Sequence, residues 1–244
     1  MKQKTMQTER PYNLIQDPLY YVTLLFFVLV TTLPPALIGQ PTFLPVAQAL
    51  GLMIFTALAV RRGSPRQALI VVSVWLVAQF VLLVTLTWLF PTRLDLAFAN
   101  GFNFRTAYLQ WFYTGQDLPH SLAGSPGAIL IEVAGVILGS LATGGVIGAF
   151  FLVRAVNFTA FGMGGLLAGG VGIIAALPLW TFFKVGGYAC FFVLFSRPIL
   201  TGNLLPSTLS GPTRRLLTLG AGLLIGGFFL EFFLPGLWSA WFGR

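Results

Sequence analysis

Residues 68–90 form a run of 23 residues without a single charge. About 20 apolar residues in a helix match the hydrocarbon thickness of a bilayer, and a helix satisfies its own backbone N–H and C=O groups away from water. This run therefore reads as a membrane-crossing helix. Six further segments repeat the pattern, at 19–38, 43–60, 127–153, 158–179, 180–196 and 216–233. The expected fold is an all-α, polytopic integral membrane bundle of about seven transmembrane helices. Pro34-Pro35 is expected to break the first of them. The sixth is short enough to be either a full crossing or a re-entrant segment.

The first apolar segment reads as a retained span. Its polar leader is long and mixed (Lys2, Lys4, Glu9, Arg10, Asp17). The apolar run also exceeds the roughly 7–15 residues of a signal-peptide core. Only 8% of the residues are charged, and 57% are hydrophobic, against about 25% charged in a soluble domain. Lipid is thus the expected partner of most of the surface. The net charge of +8 does not point to nucleic acid, because no basic stripe with interleaved aromatics sits on a soluble module.

The basic residues instead set an orientation. With the N-terminus in the cytoplasm, the cytoplasmic segments hold Lys2, Lys4, Arg10, Arg61, Arg62, Arg66, Arg154, Arg197, Arg214 and Arg215, ten of the 14 Lys and Arg. That bias matches the retention of Lys and Arg in cytoplasmic loops. The chain divides into a cytoplasmic segment 1–18, one transmembrane domain 19–238 and a short tail 239–244. The expected location is a prokaryotic inner (plasma) membrane.

Residues 91–126 are the longest polar stretch, placed outside. Aromatics recur there at 104, 108, 111 and 112. That spacing fits a short helix in the membrane interface, where Trp and Tyr favour the headgroup level, or alternatively a lid over a cavity mouth. His120 reads as loop surface, within reach of Asp117.

Two residue classes could carry function. Small residues recur four apart at Gly135 and Gly139, Gly144 and Gly148, Gly165 and Gly169, and Gly222 and Gly226. Four-residue spacing stacks them on one helix face, so that helix backbones can approach closely. The charged residues at membrane depth are Glu132, Lys184 and Glu231, each placed roughly 6–8 Å below an outer helix end at 1.5 Å per residue. Ionisable groups in hydrocarbon are costly and usually have a partner. The three are expected to share one layer, as a helix-locking ion pair or as a functional polar cluster.

Several chemistries are excluded. A single cysteine, Cys190, and a single histidine, His120, leave no cysteine cage and no bis-histidine haem within the chain. No metal site is expected, and no cofactor is assigned. Metalloprotease and serine-hydrolase signatures are absent. The leading functional reading is a non-enzymatic membrane-embedded subunit or assembly partner of a larger membrane complex, with other membrane subunits as partners. The alternative is a secondary transporter or channel for a small solute or ion built on Glu132, Lys184 and Glu231. An intramembrane enzyme acting on a lipid-linked substrate ranks third.

Overall fold

The computed structural model describes residues 15, 17–202 and 211–243, and these form ten helices and no strands. Seven are long and apolar enough to cross a membrane: α1 (Pro18–Ile38), α2 (Phe43–Arg62), α3 (Pro65–Leu89), α6 (Pro126–Thr143), α7 (Val146–Ala168), α9 (Leu179–Thr201) and α10 (Gly211–Phe242). Three shorter helices, α4 (Pro91–Asp95), α5 (Gly101–Thr114) and α8 (Ile173–Ala176), lie at one end of the bundle. That end is called the α5 face below. The opposite end, with Arg61, Arg62, Arg66, Arg214 and Arg215 at its helix termini, is called the arginine face.

Local sequence explains the helix ends. Asp17 caps α1 by accepting from the Leu19 N–H. Ser64 and Gln67 close a reciprocal capping box at the start of α3, with Pro65 in the first turn. Pro126 similarly opens α6. A proline in the first turn sacrifices only an N–H that has no helical partner anyway. Pro34 and Pro35 do not break α1. They occupy its last turn, and Gly39, at φ 77°, terminates the helix beyond them.

The largest departure from the sequence reading is at Gly144-Gly145. The expected span 127–153 is cut there, where both glycines adopt positive φ, 63° and 107°. That is the left-handed region, which costs glycine nothing. Helix α7 then runs straight through the point where Arg154 was expected to mark a cytoplasmic loop. Arg154 therefore leaves the count of loop residues. The span expected at 158–179 ends instead at Gly169-Gly170, and α9 is a full 23-residue helix rather than a re-entrant one. Arg197 lies within α9, while Arg214 and Arg215 open α10, so the expected loop at 197–215 shrinks from both sides. Lys2, Lys4, Glu9, Arg10 and Arg244 lie outside the described residues. Helix α10 continues through Pro235 to Phe242, into the stretch 239–244 that the sequence marked as a short tail.

Helices α7 and α9 form the centre: 61% and 67% of their spans are buried, against 28% for α1, α6 and α10. A five-residue polar chain ties four helices together at this depth. The Gln48 amide donates to Thr32 Oγ1 (3.0 Å), and Asn157 donates to Gln48 Oε1 (2.7 Å). Gln79 donates to Asn157 Oδ1 (2.6 Å) and to the Val153 carbonyl (3.2 Å), while Trp75 Nε1 donates to Gln79 Oε1 (3.0 Å). Thr32, Gln48, Gln79 and Asn157 are all at most 2% exposed. A closed network of this kind specifies how α1, α2, α3 and α7 are rotated against one another, because any other rotation strands a polar group.

The glycines sort by position. A Cβ on Gly135 would enter the Phe151 ring, and one on Gly148 would meet Ser140. One on Gly139 would lie 2.5 Å from Ile147 Cγ2, and one on Gly165 2.8 Å from Arg105 Cγ. Gly144 serves as a turn residue, and a Gly169 Cβ would stand 3.0 Å from Leu109 Cδ2. Gly222 and Gly226 differ: nothing lies within 4 Å of the Cβ either would carry. The packing glycines of α10 are Gly220 and Gly227, against Cys190 and the Lys184 backbone. They belong to the buried stripe Leu216, Gly220, Leu224, Gly227, Glu231, Pro235 and Trp238, whereas Gly222 and Gly226 face away from it. Gly139→Leu is expected to cost about 1–3 kcal/mol by overpacking, and Gly222→Leu to stay within about 0.5 kcal/mol. Thermal melting of the two purified variants in one detergent checks both.

Candidate functional site

The site begins with how closely α9 and α10 approach. Gly187 meets Leu224, and Gly227 lies against the Lys184 backbone, where an added Cβ would stand 2.7 Å from the Lys184 nitrogen. One turn beyond Gly227, Glu231 faces Lys184. Lys184 Nζ donates to Glu231 Oε1 at 2.6 Å, and both residues are 3% exposed. Close backbones thus align two charges that neither helix tolerates alone in hydrocarbon.

Glu132 reaches the same place from α6, but its partner is not Lys184. His120 Nε2 lies 2.8 Å from Glu132 Oε2. The loop between α5 and α6 turns inward to deliver this imidazole. His120 itself adopts φ 58°, an uncommon conformation for a residue with a side chain. Ser121 Oγ bonds the Leu118 carbonyl and accepts from the Gly124 N–H, which tightens the turn. The Leu122 N–H donates to Glu231 Oε2 at 3.3 Å, so one loop touches both carboxylates. The imidazole stacks on Phe158 of α7, with centroids 4.7 Å apart.

Sequence reasoning assigned His120 to the loop surface and did not single out Tyr188 or Tyr108. Tyr188, on α9 one turn past Lys184, is fully buried, with its hydroxyl beside the Glu132 carboxylate. Tyr108 of α5 lines the cluster from above. Burial, reinforced by the negative charge of Glu231, pushes its phenol above the ordinary range, so it acts as a neutral hydroxyl. Only a fold that returns a loop into the bundle brings these groups together, and no local motif marks them.

Together Tyr108, His120, Glu132, Thr159, Thr181, Lys184 and Glu231 surround a void with about 20 Å³ of room for water centres. That is space for about one water molecule. Measured along the helix axes, Glu132, Lys184 and Glu231 stand about 9, 8 and 17 Å from the α5-face ends of their helices. The extra length of α10 projects beyond the others, and the long Lys184 side chain spans the difference.

The roof over the void is helix α5, with Phe104 and Tyr108 facing inward. It is clamped to α4 by a two-pronged contact, Arg105 Nε and Nη2 to the two Asp95 oxygens at 2.9 and 2.7 Å. That pairing holds the Arg105 guanidinium above its ordinary pKa. Beside the roof, Trp111, Trp180 and Trp238 meet edge to face, with centroids 5.9 and 6.0 Å apart. The aromatic spacing at 104, 108, 111 and 112 thus belongs to a helix lying across the end of the bundle, with Tyr108, Trp111 and Phe112 turned down into it.

The charge balance states what the cluster can do. Two carboxylates face one ammonium and one imidazole. If both carboxylates are ionised, neutrality requires a protonated His120. If His120 is neutral, one carboxyl must hold the proton. A water-sized space and the Tyr188 hydroxyl lie beside the His120–Glu132 pair. Two neighbouring spaces share the lining of the void. Phe158 also lines a second groove, and Thr159 and Thr181 also line an apolar pocket of about 90 Å³ between α3, α7 and α9. Among the described residues no three His, Cys, Asp or Glu side chains come together to hold a metal ion. Comparison with protein-family models, with curated proteins and with solved structures finds no match; what is shown is a polytopic membrane protein in contact with a lipid bilayer.

Proposed function

We propose that this membrane protein works through proton exchange at the His120–Glu132 pair, coupled to the passage of a small solute as a secondary transporter. The carrying observation is the pairing itself. Two acid–base pairs, the buried Lys184–Glu231 and the part-buried His120–Glu132, face one water-sized void, and only the second contains a side-chain type whose unperturbed form titrates near neutrality. Ionisable groups at membrane depth are by default part of an ion or substrate path. Phe158, Thr159 and Thr181, which the void shares with its neighbouring spaces, are the places where such a path would open. The reading is non-enzymatic.

The test is charge movement. Protein reconstituted on a solid-supported membrane and given a pH step should produce a proton-displacement current. The current should fall at least tenfold in His120→Gln and in Glu132→Gln. Equal currents in wild type and both variants, or none above empty liposomes, would sink the reading.

A second reading, assembly into a larger complex, is favoured by one feature. Gly222 and Gly226 lie on an outward face of α10 with nothing above them, flanked by exposed Leu219, Ile225 and Phe229. A small-residue face of this kind suits helix docking in lipid.

Six of the described arginines, at 61, 62, 66, 197, 214 and 215, lie on or near the arginine face, against Arg93 and Arg105 on the α5 face. We expect the arginine face to be cytoplasmic. In a Cys190→Ser background, an impermeant thiol reagent should label Gln116→Cys from outside intact cells and spare Thr201→Cys. The reverse pattern would invert the topology.

A further inference from the structure

We infer that Arg154 forms a second binding site, for a carboxylate or phosphate group carried on an apolar body. Arg154 lies eight residues into α7, about 12 Å from the helix end on the arginine face. A guanidinium does not lose its proton in proteins, so its charge cannot be avoided by titration. Half-buried within a span, it gains from an anionic partner.

Among the described residues the chain supplies none. Asp95 is engaged by Arg105, Glu132 by His120 and Glu231 by Lys184. Asp17 caps α1 at the other end of the bundle from the α5–α6 loop, which carries Asp117 at its exposed surface. The Arg154 guanidinium stands over the face of the Phe158 ring, 5.3 Å from its centroid. An aromatic face stabilises a cation but accepts none of its five N–H donors in the way an oxyanion does. Lys184, which is buried, and Arg105, which like Arg154 is half-buried, each have a carboxylate at 2.7 Å or less.

Arg154 does not face a packed wall. It lines a groove of about 220 Å³ between the start of α2, residues 97–99 and α7. Phe98, Phe150, Leu44 and Pro45 supply apolar sides, and Thr42 stands exposed at the rim. The Asn157 side chain also borders it, but its amide is committed to Gln48 and Gln79. Arg154 is thus the charged donor of the groove, and the remaining surface suits hydrocarbon. The volume is below the roughly 300–1,000 Å³ of pockets that enclose a drug-sized ligand. It takes a lipid headgroup region or a small organic acid.

The two sources share their chemistry and are separated by two probes, dioleoylphosphatidylglycerol retention by native mass spectrometry and hexanoate binding by calorimetry in detergent. Arg154→Gln should weaken at least one of them tenfold or more, and Arg154→Lys should retain part of the binding. Loss of lipid retention alone assigns a bilayer lipid. Loss of hexanoate binding alone assigns a water-soluble acid, and loss of both assigns an amphiphilic acid reaching the groove from either phase. Neither probe distinguishing wild type from Arg154→Gln would overturn the inference. So would a marked fall in melting temperature of unliganded Arg154→Gln, because removing an unpaired charge should leave the empty protein at least as stable.

Discussion

Lys184→Met should destabilise the protein by about 3–5 kcal/mol, the usual cost of removing one partner from a buried ion pair. The ammonium is 2.6 Å from Glu231 Oε1, and both groups are almost wholly removed from solvent. Without Lys184, Glu231 keeps only the long bond from the Leu122 N–H at 3.3 Å. Its carboxylate must then take up a proton or stay charged against apolar surroundings. The double variant Lys184→Met, Glu231→Gln should recover much of the loss, since neither charge is then left alone. Thermal or denaturant melting of the single and double variants in one detergent gives the coupling directly. If the double variant melts no higher than Lys184→Met, the pair is not what holds α9 and α10 in register, and the glycine contacts at Gly187, Gly220 and Gly227 carry the interface unaided. If the double variant folds well but the pH-step current is lost, the pair belongs to the proton path as well as to the scaffold.

Asn157→Leu should be the second large effect. Its side chain both donates to Gln48 Oε1 and accepts from Gln79 Nε2, at 2.7 and 2.6 Å. Leucine is close in size but offers neither bond, so Gln48 loses its donor and Gln79 keeps only the Val153 carbonyl for its amide. An orphaned buried polar group costs about 1–3 kcal/mol, and this substitution creates up to two. Gln48→Leu in the same background should restore part of the stability by removing one orphan. Melting temperatures that fall no further for Asn157→Leu than for an exposed control such as Leu130→Ala would show that the network is wet or slack in the membrane, where hydrogen bonds between helices are often worth less than expected. The same variant also reports on the groove, because Asn157 and Arg154 border it together.

Arg154 shows how a charge can mislead a reading of span boundaries. A lone arginine after 48 residues without Lys or Arg looks like a loop, because hydrocarbon is assumed to reject it. The chain instead places its turn at Gly144-Gly145, a dipeptide that marks turns, and carries the arginine inward. The signal for the correct boundary was present in the glycines, but the charge outweighed it. His120 misled in the opposite direction. A histidine in a polar loop has no local reason to turn into the bundle, and its contact with Glu132 depends on where α5, α6 and α7 stand. Gly222 and Gly226 had the right spacing on the wrong face, since the side of α10 that meets α9 is chosen by the whole stripe from Leu216 to Trp238.

What the sequence determined by itself was the solvent and the number of long helices. Hydrocarbon demands unbroken apolar runs with internally satisfied backbones, and that demand is local, so it can be read along the chain. Three of the four members of the buried charged cluster, Glu132, Lys184 and Glu231, were also legible, because an ionisable residue inside such a run is conspicuous. The tertiary structure decided the pairing. Lys184 meets Glu231 because glycine lets α9 and α10 nearly touch, Glu132 meets His120 because a loop folds back beneath α5, and Arg154 is left without a carboxylate because the others are taken. Those outcomes depend on helix rotation and on contacts between residues up to about a hundred positions apart, which no local pattern of hydropathy or spacing encodes.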